Sequence, residues 1–484
     1  MAGGTGRDLE RSLDLYTTMM ISMGAMIGSG IFVLPALGYK KAGPAVIVAY
    51  VLAGLVVLPP ALSKSEMATA MPESGGTYLY IDRALGPLPG TVAGIGAWFS
   101  LVFKSAFALA GLGSYLLILA PGVGTGSLKY VALALAVLIV VLNIVGTELT
   151  GKAQAAVVSI VLLGLAAYTV NAGLELGGAF DASSFEPFRT HGNVGIITAA
   201  AFVFVSYAGV TKVASIAEEV KNPGKNLPRA MLGSLFIMMV VYALVVGAVV
   251  GLNEAEVLTG EGMERGASLT PMADGAGALF GGLGVVVISV IAVVALTSMA
   301  NAGVLSSSRF PLAMSRDGLL PKALTKVDRR FTTPRNSILV TGAVLFALIA
   351  FVPVIELAKL ASAFQILVFS AENTALIAFR EADLSSYEPE WTSPLYPYVQ
   401  IFGVVVGFVL LGVMFRASTL SMVGAGGIIV GGVVVYFAYG RSRTDRTGAI
   451  GSIIERRRGE EVEPPKPTEP SKMSDTTGDD KTND

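Results

Sequence analysis

The chain has 484 residues, of which 53% are hydrophobic and only 14% charged, and its mean hydropathy is +0.68. Soluble domains carry about 25% charged residues, so the composition excludes an ordinary soluble protein and points to a chain that crosses a membrane repeatedly. A net charge of −1 gives no footing for nucleic acid, the lack of cysteine excludes disulfides and thiolate metal sites, and a single histidine, His191, leaves no His-based metal centre or catalytic triad.

A membrane helix needs about 20 mostly apolar residues. The polar stretch 1–13 has no cleavable-signal pattern and runs straight into the first apolar segment. Twelve spans are predicted, at 14–36, 43–63, 90–119, 128–146, 153–173, 194–215, 230–251, 280–305, 336–354, 358–379, 398–415 and 420–439. A barrel would show short alternating segments instead, so every span is read as a helix. Of the 34 Lys and Arg residues, 26 fall on the side that carries both termini and 7 on the other, with Lys104 left inside a span. By the positive-inside rule both termini are cytoplasmic. The tail from about 455 onward is rich in Pro, Glu, Asp, Lys, Ser and Thr and is expected to be disordered. Its "ERRR" (455–458) reads as a topology anchor, with contact to anionic lipid headgroups as the alternative.

Spans one and six carry the weakest helical residues. In "GAMIGSGIF" (24–32), Gly24, Gly28 and Gly30 each cost roughly 1 kcal/mol of helix propensity relative to alanine. Close helix packing is one reading, since small residues let backbones approach in lipid. A deliberate helix break that bares backbone to a ligand is the other. The sixth span turns small and polar at Ser206, Tyr207, Ala208 and Gly209, followed by Lys212. Paired, Gly-interrupted helices in corresponding halves are the sequence pointer to a transporter site. A break leaves N–H groups on one stub, suited to a carboxylate, and C=O groups on the other, suited to an ammonium or a cation.

Five ordered motifs resemble those of the amino acid–polyamine–organocation transporters: "GAMIGSGIFVLP" (24–35), "EMATAMPESGGTYLYIDRALG" (66–86), "SIAEEVKNPGKNLPRAM" (215–231), "NAGVLSSSRFPLAMSRDGLLP" (301–321) and "SPLYP" (393–397). The resemblance spans roughly residues 10–440. It implies an all-α polytopic fold with a five-plus-five inverted-repeat core, in which helices 1 and 6 are broken, plus two peripheral helices. On this chain that means a cytoplasmic N-terminus at 1–13, a ten-helix core at 14–379, helices 11 and 12 at 398–439, and a cytoplasmic tail at 440–484. It also implies amino acid transport by alternating access, with the lipid bilayer and a small-molecule amino acid as partners. The expected setting is the plasma membrane of a prokaryote.

The substrate carboxylate is assigned to the amides around Ser29, Gly30 and Ile31, and the amino group to the carbonyl end near Met26 and Ile27 and to carbonyls near Val205 and Ala208; Gly28, Ser206 and Gly209 complete the expected substrate-binding set. The Ser29 hydroxyl either assists or caps its own backbone. Aligned by "KNP" (221–223), Val205 stands where the similar arginine/agmatine exchangers have an aromatic gate, and Thr211 where they have a glutamate. Both departures argue against a similar arginine exchanger.

Lys104 lies near the middle of span three, where a lysine is costly and a functional assignment is the default. Snorkelling is the structural alternative. Aligned on "GLGSY" (111–115), it falls at a substrate-facing asparagine position of those exchangers. A desolvated lysine can give up its proton, so Lys104 is assigned to binding and to proton coupling; its charge would also disfavour cationic substrates. Sodium-coupled relatives resemble one another in a site that maps onto Gly24, Ile27, Val294, Thr297 and Ser298 here, oxygen ligands suited to a hard cation. In proton-coupled relatives a helix-5 lysine fills that space; Val161 stands there in this chain. Glu372 and Asn373 are read as facing a water-filled inner vestibule, with a proton path as the alternative.

No cofactor is expected beyond a coupling ion, H+ or Na+, and no P-loop for ATP occurs. The expected function is a secondary active transporter of neutral amino acids, proton-coupled and not an enzyme. The alternatives are a Na+ symporter, an amino acid or amine exchanger, and a sensor that binds without moving its ligand.

Overall fold

A computed structural model describes residues 11–453, apart from 73–75, 121, 147–150, 179–181, 262–265, 329, 332, 385–386, 445–447 and 452. The expectations for "ERRR" and the acidic tail, and the positions of Arg7 and Arg265, therefore lie outside the described residues. A bilayer core offers no water to satisfy backbone groups, so apolar segments of this length must bond internally. The described residues are accordingly helical, and their one isolated β-bridge joins Leu13 to Val220.

The first span is in three pieces: α1 (Leu15–Met26), α2 (Ser29–Phe32) and α3 (Leu34–Ala42). Next come α4 (Val46–Ala70), α5 (Gly76–Leu85), α6 (Pro87–Leu119), α7 (Leu128–Val145), α8 (Gly151–Gly178) and α9 (Gly192–Val203). After two 3₁₀ stretches follow α10 (Pro223–Leu252), α11 (Ala255–Thr259), α12 (Pro271–Arg316), α13 (Arg335–Phe351), α14 (Val354–Ala382), α15 (Tyr398–Ala417) and α16 (Thr419–Val435). Among the described residues, ten helical stretches are long and apolar enough to cross a membrane, and α13 is a shorter apolar helix of 17 residues. All twelve predicted spans fall on helical structure, the first of them on the broken α1–α3.

Two differences from the predicted boundaries have local causes. The short α5 sits in what reads as a polar loop; it is amphipathic, burying Tyr78, Tyr80 and Ile81. The eighth span is the 46-residue α12, and Gly281 (φ 59°) kinks it. At 1.5 Å per residue an unbroken helix of that length would far exceed a ~30 Å hydrocarbon layer.

Burial sorts the helices. The long α6 packs on α12 and α14, and α4 packs on α10. Outer helices present apolar side chains outward, such as Leu163 on α8, Phe408 on α15 and Val434 on α16. In lipid that is the expected surface rather than an aggregation hazard. The broken segments lie in the middle, where α2, α6, α9, α10, α12 and α14 converge.

Candidate functional site

The first break is local and sharp. Ile27 leaves the helix with extended backbone (ψ 119°), Gly28 is also extended (φ 167°), and α2 restarts at Ser29. The N–H groups of Ile31 and Phe32 both donate to the Gly28 carbonyl at 3.0 Å. The amide of Ile31 is thus engaged inside α2, which leaves Ser29 and Gly30 to supply the amides expected for a carboxylate.

The second break starts earlier than the sequence indicates and stays wound. It begins at Phe204, not Ser206, and tightens to 3₁₀ turns over Phe204–Tyr207 and Val210–Glu219. Ala208 N–H donates to the Val205 carbonyl at 3.1 Å, and Lys212 N–H to Gly209 at 3.0 Å. The trigger is Ser362 on α14. Its hydroxyl donates to the Phe202 carbonyl at 2.6 Å and accepts from Val205 N–H at 3.3 Å. A side chain inserted into the i→i−4 ladder is a standard cause of a kink. Both backbone groups of Val205 are therefore partnered, contrary to the bare carbonyl expected there.

The two breaks clasp each other. A Cβ on Gly209 would lie 2.2 Å from the carbonyl carbon and oxygen of Ala25, and one on Gly30 would lie 2.9 Å from Ser206 Cα. Close backbone approach is thus what these two glycines visibly provide. Buried tyrosines then take up the freed carbonyls. Tyr50 Oη donates to Gly30 at 2.6 Å and Tyr115 Oη to Phe32 at 2.8 Å. Tyr242 Oη sits between the carbonyls of Met26 (2.7 Å) and Ser206 (3.1 Å), able to donate to either. These tyrosines were not among the predicted site residues. The available signal was a phenol inside an apolar span, because a buried Tyr hydroxyl needs a partner.

A cavity of about 160 Å³ lies against the clasp, on the order of the space that holds a benzene-sized molecule. Ala25, Lys104, Ala208, Gly209, Met299 and Gln365 are among the residues that line it. Of the predicted residues, Lys104, Ala208 and Gly209 border the cavity, while Met26, Ile27, Gly28, Ser29, Gly30, Ile31, Val205 and Ser206 are buried behind it. Lys104 does not snorkel: its Nζ donates to the Ala25 carbonyl at 3.0 Å, at the C=O end of the first stub. Two donors near Gly30 are poorly met. Ser206 Oγ is buried without a hydrogen-bond partner among the described residues. Ser29 N–H faces only the Met299 sulfur, at 3.4 Å.

The cavity lining carries Lys64, Lys104, Lys212 and Arg309 and, among the described residues, no carboxylate. Just behind the wall, Glu372 pairs with Lys64 Nζ at 2.8 Å and accepts from Thr77 Oγ1 at 2.7 Å; Lys64 also contacts Thr77. Glu372 is fully buried rather than facing a vestibule, and Asn373 accepts from Ser63 at 2.8 Å. Of the candidate cation ligands, Gly24 and Ile27 are buried. Val294 is 42% exposed on the outer face of α12, Thr297 and Ser298 are half-buried, and Val158 packs directly onto Gly24.

Broken first and sixth spans that clasp beside a lysine-bearing cavity are the arrangement expected of a carrier, and the amino acid permease profile matches residues 17–438. The chain belongs to the amino acid permease family. It is 28% identical to the branched-chain amino acid permease BcaP of Bacillus subtilis, over 90% of this chain and 95% of that one. It is 32% identical to an uncharacterized transporter of Mycobacterium tuberculosis, covering 89% and 91%. It is 27% identical to the serine/threonine exchanger SteT of Bacillus subtilis, covering 85% and 93%. As a permease it is a membrane-embedded protein with a small-molecule substrate.

Proposed function

We propose that this permease is a secondary active transporter of neutral amino acids in the plasma membrane, coupled to protons through Lys104. The observation that carries the reading is the Lys104–Ala25 hydrogen bond. It puts an ammonium at the carbonyl end of the broken first helix, beside the cavity, where a coupling cation or a substrate amino group would find acceptors. A lysine that exchanges its proton there changes the charge of the site without an inorganic ion.

An ammonium at Lys104, held at the Ala25 carbonyl beside the cavity, disfavours Lys, Arg and polyamines by like-charge repulsion. Two relatives carry neutral amino acids by name, branched-chain in one and Ser/Thr in the other. In this reading residues 14–379 form the transport core, 398–439 are peripheral helices, and both termini are cytoplasmic by the 26 to 7 split of Lys and Arg. Substrate amides come from Ser29 and Gly30, and alternating access proceeds by movement of the clasped breaks against their surroundings.

The test is uptake of labelled leucine, serine and threonine into liposomes holding the purified protein. The arms are an inward proton gradient, a sodium gradient, neither, and preloaded amino acid. Uptake driven by protons alone is expected. A strict sodium requirement overturns the Lys104 assignment, flux only against preloaded amino acid replaces symport with exchange, and binding without flux indicates a sensor.

A further inference from the structure

We infer that Met299 is a built-in stand-in for the substrate carboxylate: its thioether holds the Ser29 amide in the free protein and must be displaced when an amino acid binds. The inference rests on the reading of the first-span break as the carboxylate site.

Met299 belongs to α12, far from Ser29 in sequence, yet its sulfur lies 3.4 Å from Ser29 N–H and 3.9 Å from Ser29 Oγ. It reaches that position only because residue 28 is glycine. A Cβ on Gly28 would lie 1.9 Å from the sulfur. The same side chain lines the cavity, so it forms the wall between the open space and the amide. A thioether is a weak acceptor, and a buried amide left with a weak acceptor is under-satisfied. The neighbouring Ser206 Oγ, also buried, has no partner among the described residues. A carboxylate would meet both donors far better than sulfur does, since charge-assisted bonds are roughly twice as strong as neutral ones. Methionine is suited to yielding: it is unbranched, with three rotatable bonds, and repacks at small cost.

Lys104 is the counterpart at the other end. Its ammonium occupies the Ala25 carbonyl while the Met299 sulfur occupies the Ser29 amide. The free protein thus fills both poles of a zwitterion site with its own side chains. The strength of the Met299 contact then sets how much affinity an incoming carboxylate keeps.

The prediction has opposite signs for two variants of similar size. Met299→Leu removes the acceptor, leaves the free state worse satisfied and is expected to tighten binding. Met299→Gln offers a strong amide oxygen and is expected to weaken it. About a 3- to 10-fold change in Kd in each direction corresponds to one ordinary hydrogen bond. The measurement is equilibrium binding of labelled L-leucine and L-serine to the full chain in nanodiscs. Peroxide oxidation of Met299 in the unaltered protein, followed by mass spectrometry with and without saturating leucine, is a second readout. Oxidation at Met299 is expected to rise on binding relative to the other methionines, as the sulfur leaves its slot at Gly28. Weakening by both variants, unchanged affinity in both, or an unchanged oxidation rate overturns the stand-in role alone. If the unaltered protein binds neither amino acid, the carboxylate-site reading fails and takes this inference with it.

Discussion

Gly209 rests directly on Ala25, backbone against backbone: the position a Cβ would take at Gly209 is 2.2 Å from the Ala25 carbonyl oxygen. The contact involves main chain on the Ala25 side, so no rotamer change can relieve an added methyl group. Gly209→Ala is expected to lower stability by about 1–3 kcal/mol, the usual cost of overpacking, and to abolish transport by parting the two breaks. Gly96 on α6 is the control, since nothing lies within 4 Å of its would-be Cβ. Gly96→Ala should melt at or above the unaltered protein. Equal melting temperatures for the two variants in detergent would show that the clasp is loose.

The Lys104–Ala25 bond predicts a change in coupling rather than in folding alone. Lys104→Gln keeps a donor for the Ala25 carbonyl but has no proton to exchange. Its uptake should lose dependence on pH and on the proton gradient, while exchange of labelled for unlabelled substrate continues. A pH profile that matches the unaltered protein would remove Lys104 from coupling.

The Lys64–Glu372 pair joins α4 to α14 in a fully buried setting. Removing one partner strands a charge, and about 3–5 kcal/mol of destabilisation is expected for Lys64→Ala alone. The double variant Lys64→Met with Glu372→Leu should recover most of it, because two apolar side chains avoid the desolvation cost. A double variant as unstable as the single one would mean that the pair does more than neutralise itself. The comparison is read as melting temperatures of the singles and the double.

Ser362 is expected to govern the course of the sixth span. Ser362→Ala leaves the Phe202 carbonyl and the Val205 amide without their shared partner, a cost of about 1–3 kcal/mol. The helix can then extend past Val203, which would shift Ser206 and Gly209 away from the first break. Loss of leucine binding together with a folded, monodisperse protein is the expected result. Normal affinity in Ser362→Ala would show that the 3₁₀ winding holds without the serine.

Much of the architecture was legible along the chain. Apolar runs longer than a bilayer is thick require helices, and Gly28 and Gly209 mark the first and sixth spans as the broken ones. Even Lys104 stood out, because a lysine in mid-span is costly. These signals are local: each depends on a window of about 20 residues or fewer. What the tertiary structure alone decided are the partners. The sequence marks the small, polar Ser206–Gly209, but the break begins at Phe204 because a serine 157 residues beyond Val205 reaches its amide. The carbonyls of Met26 and Ser206 share a tyrosine from α10, and the Ser29 amide meets a sulfur 270 residues away. Glu372 looked solvated and is instead paired with Lys64, 308 residues distant. A hydrogen bond needs its donor within about 3 Å, and only the docking of helices far apart in the chain brings such groups together.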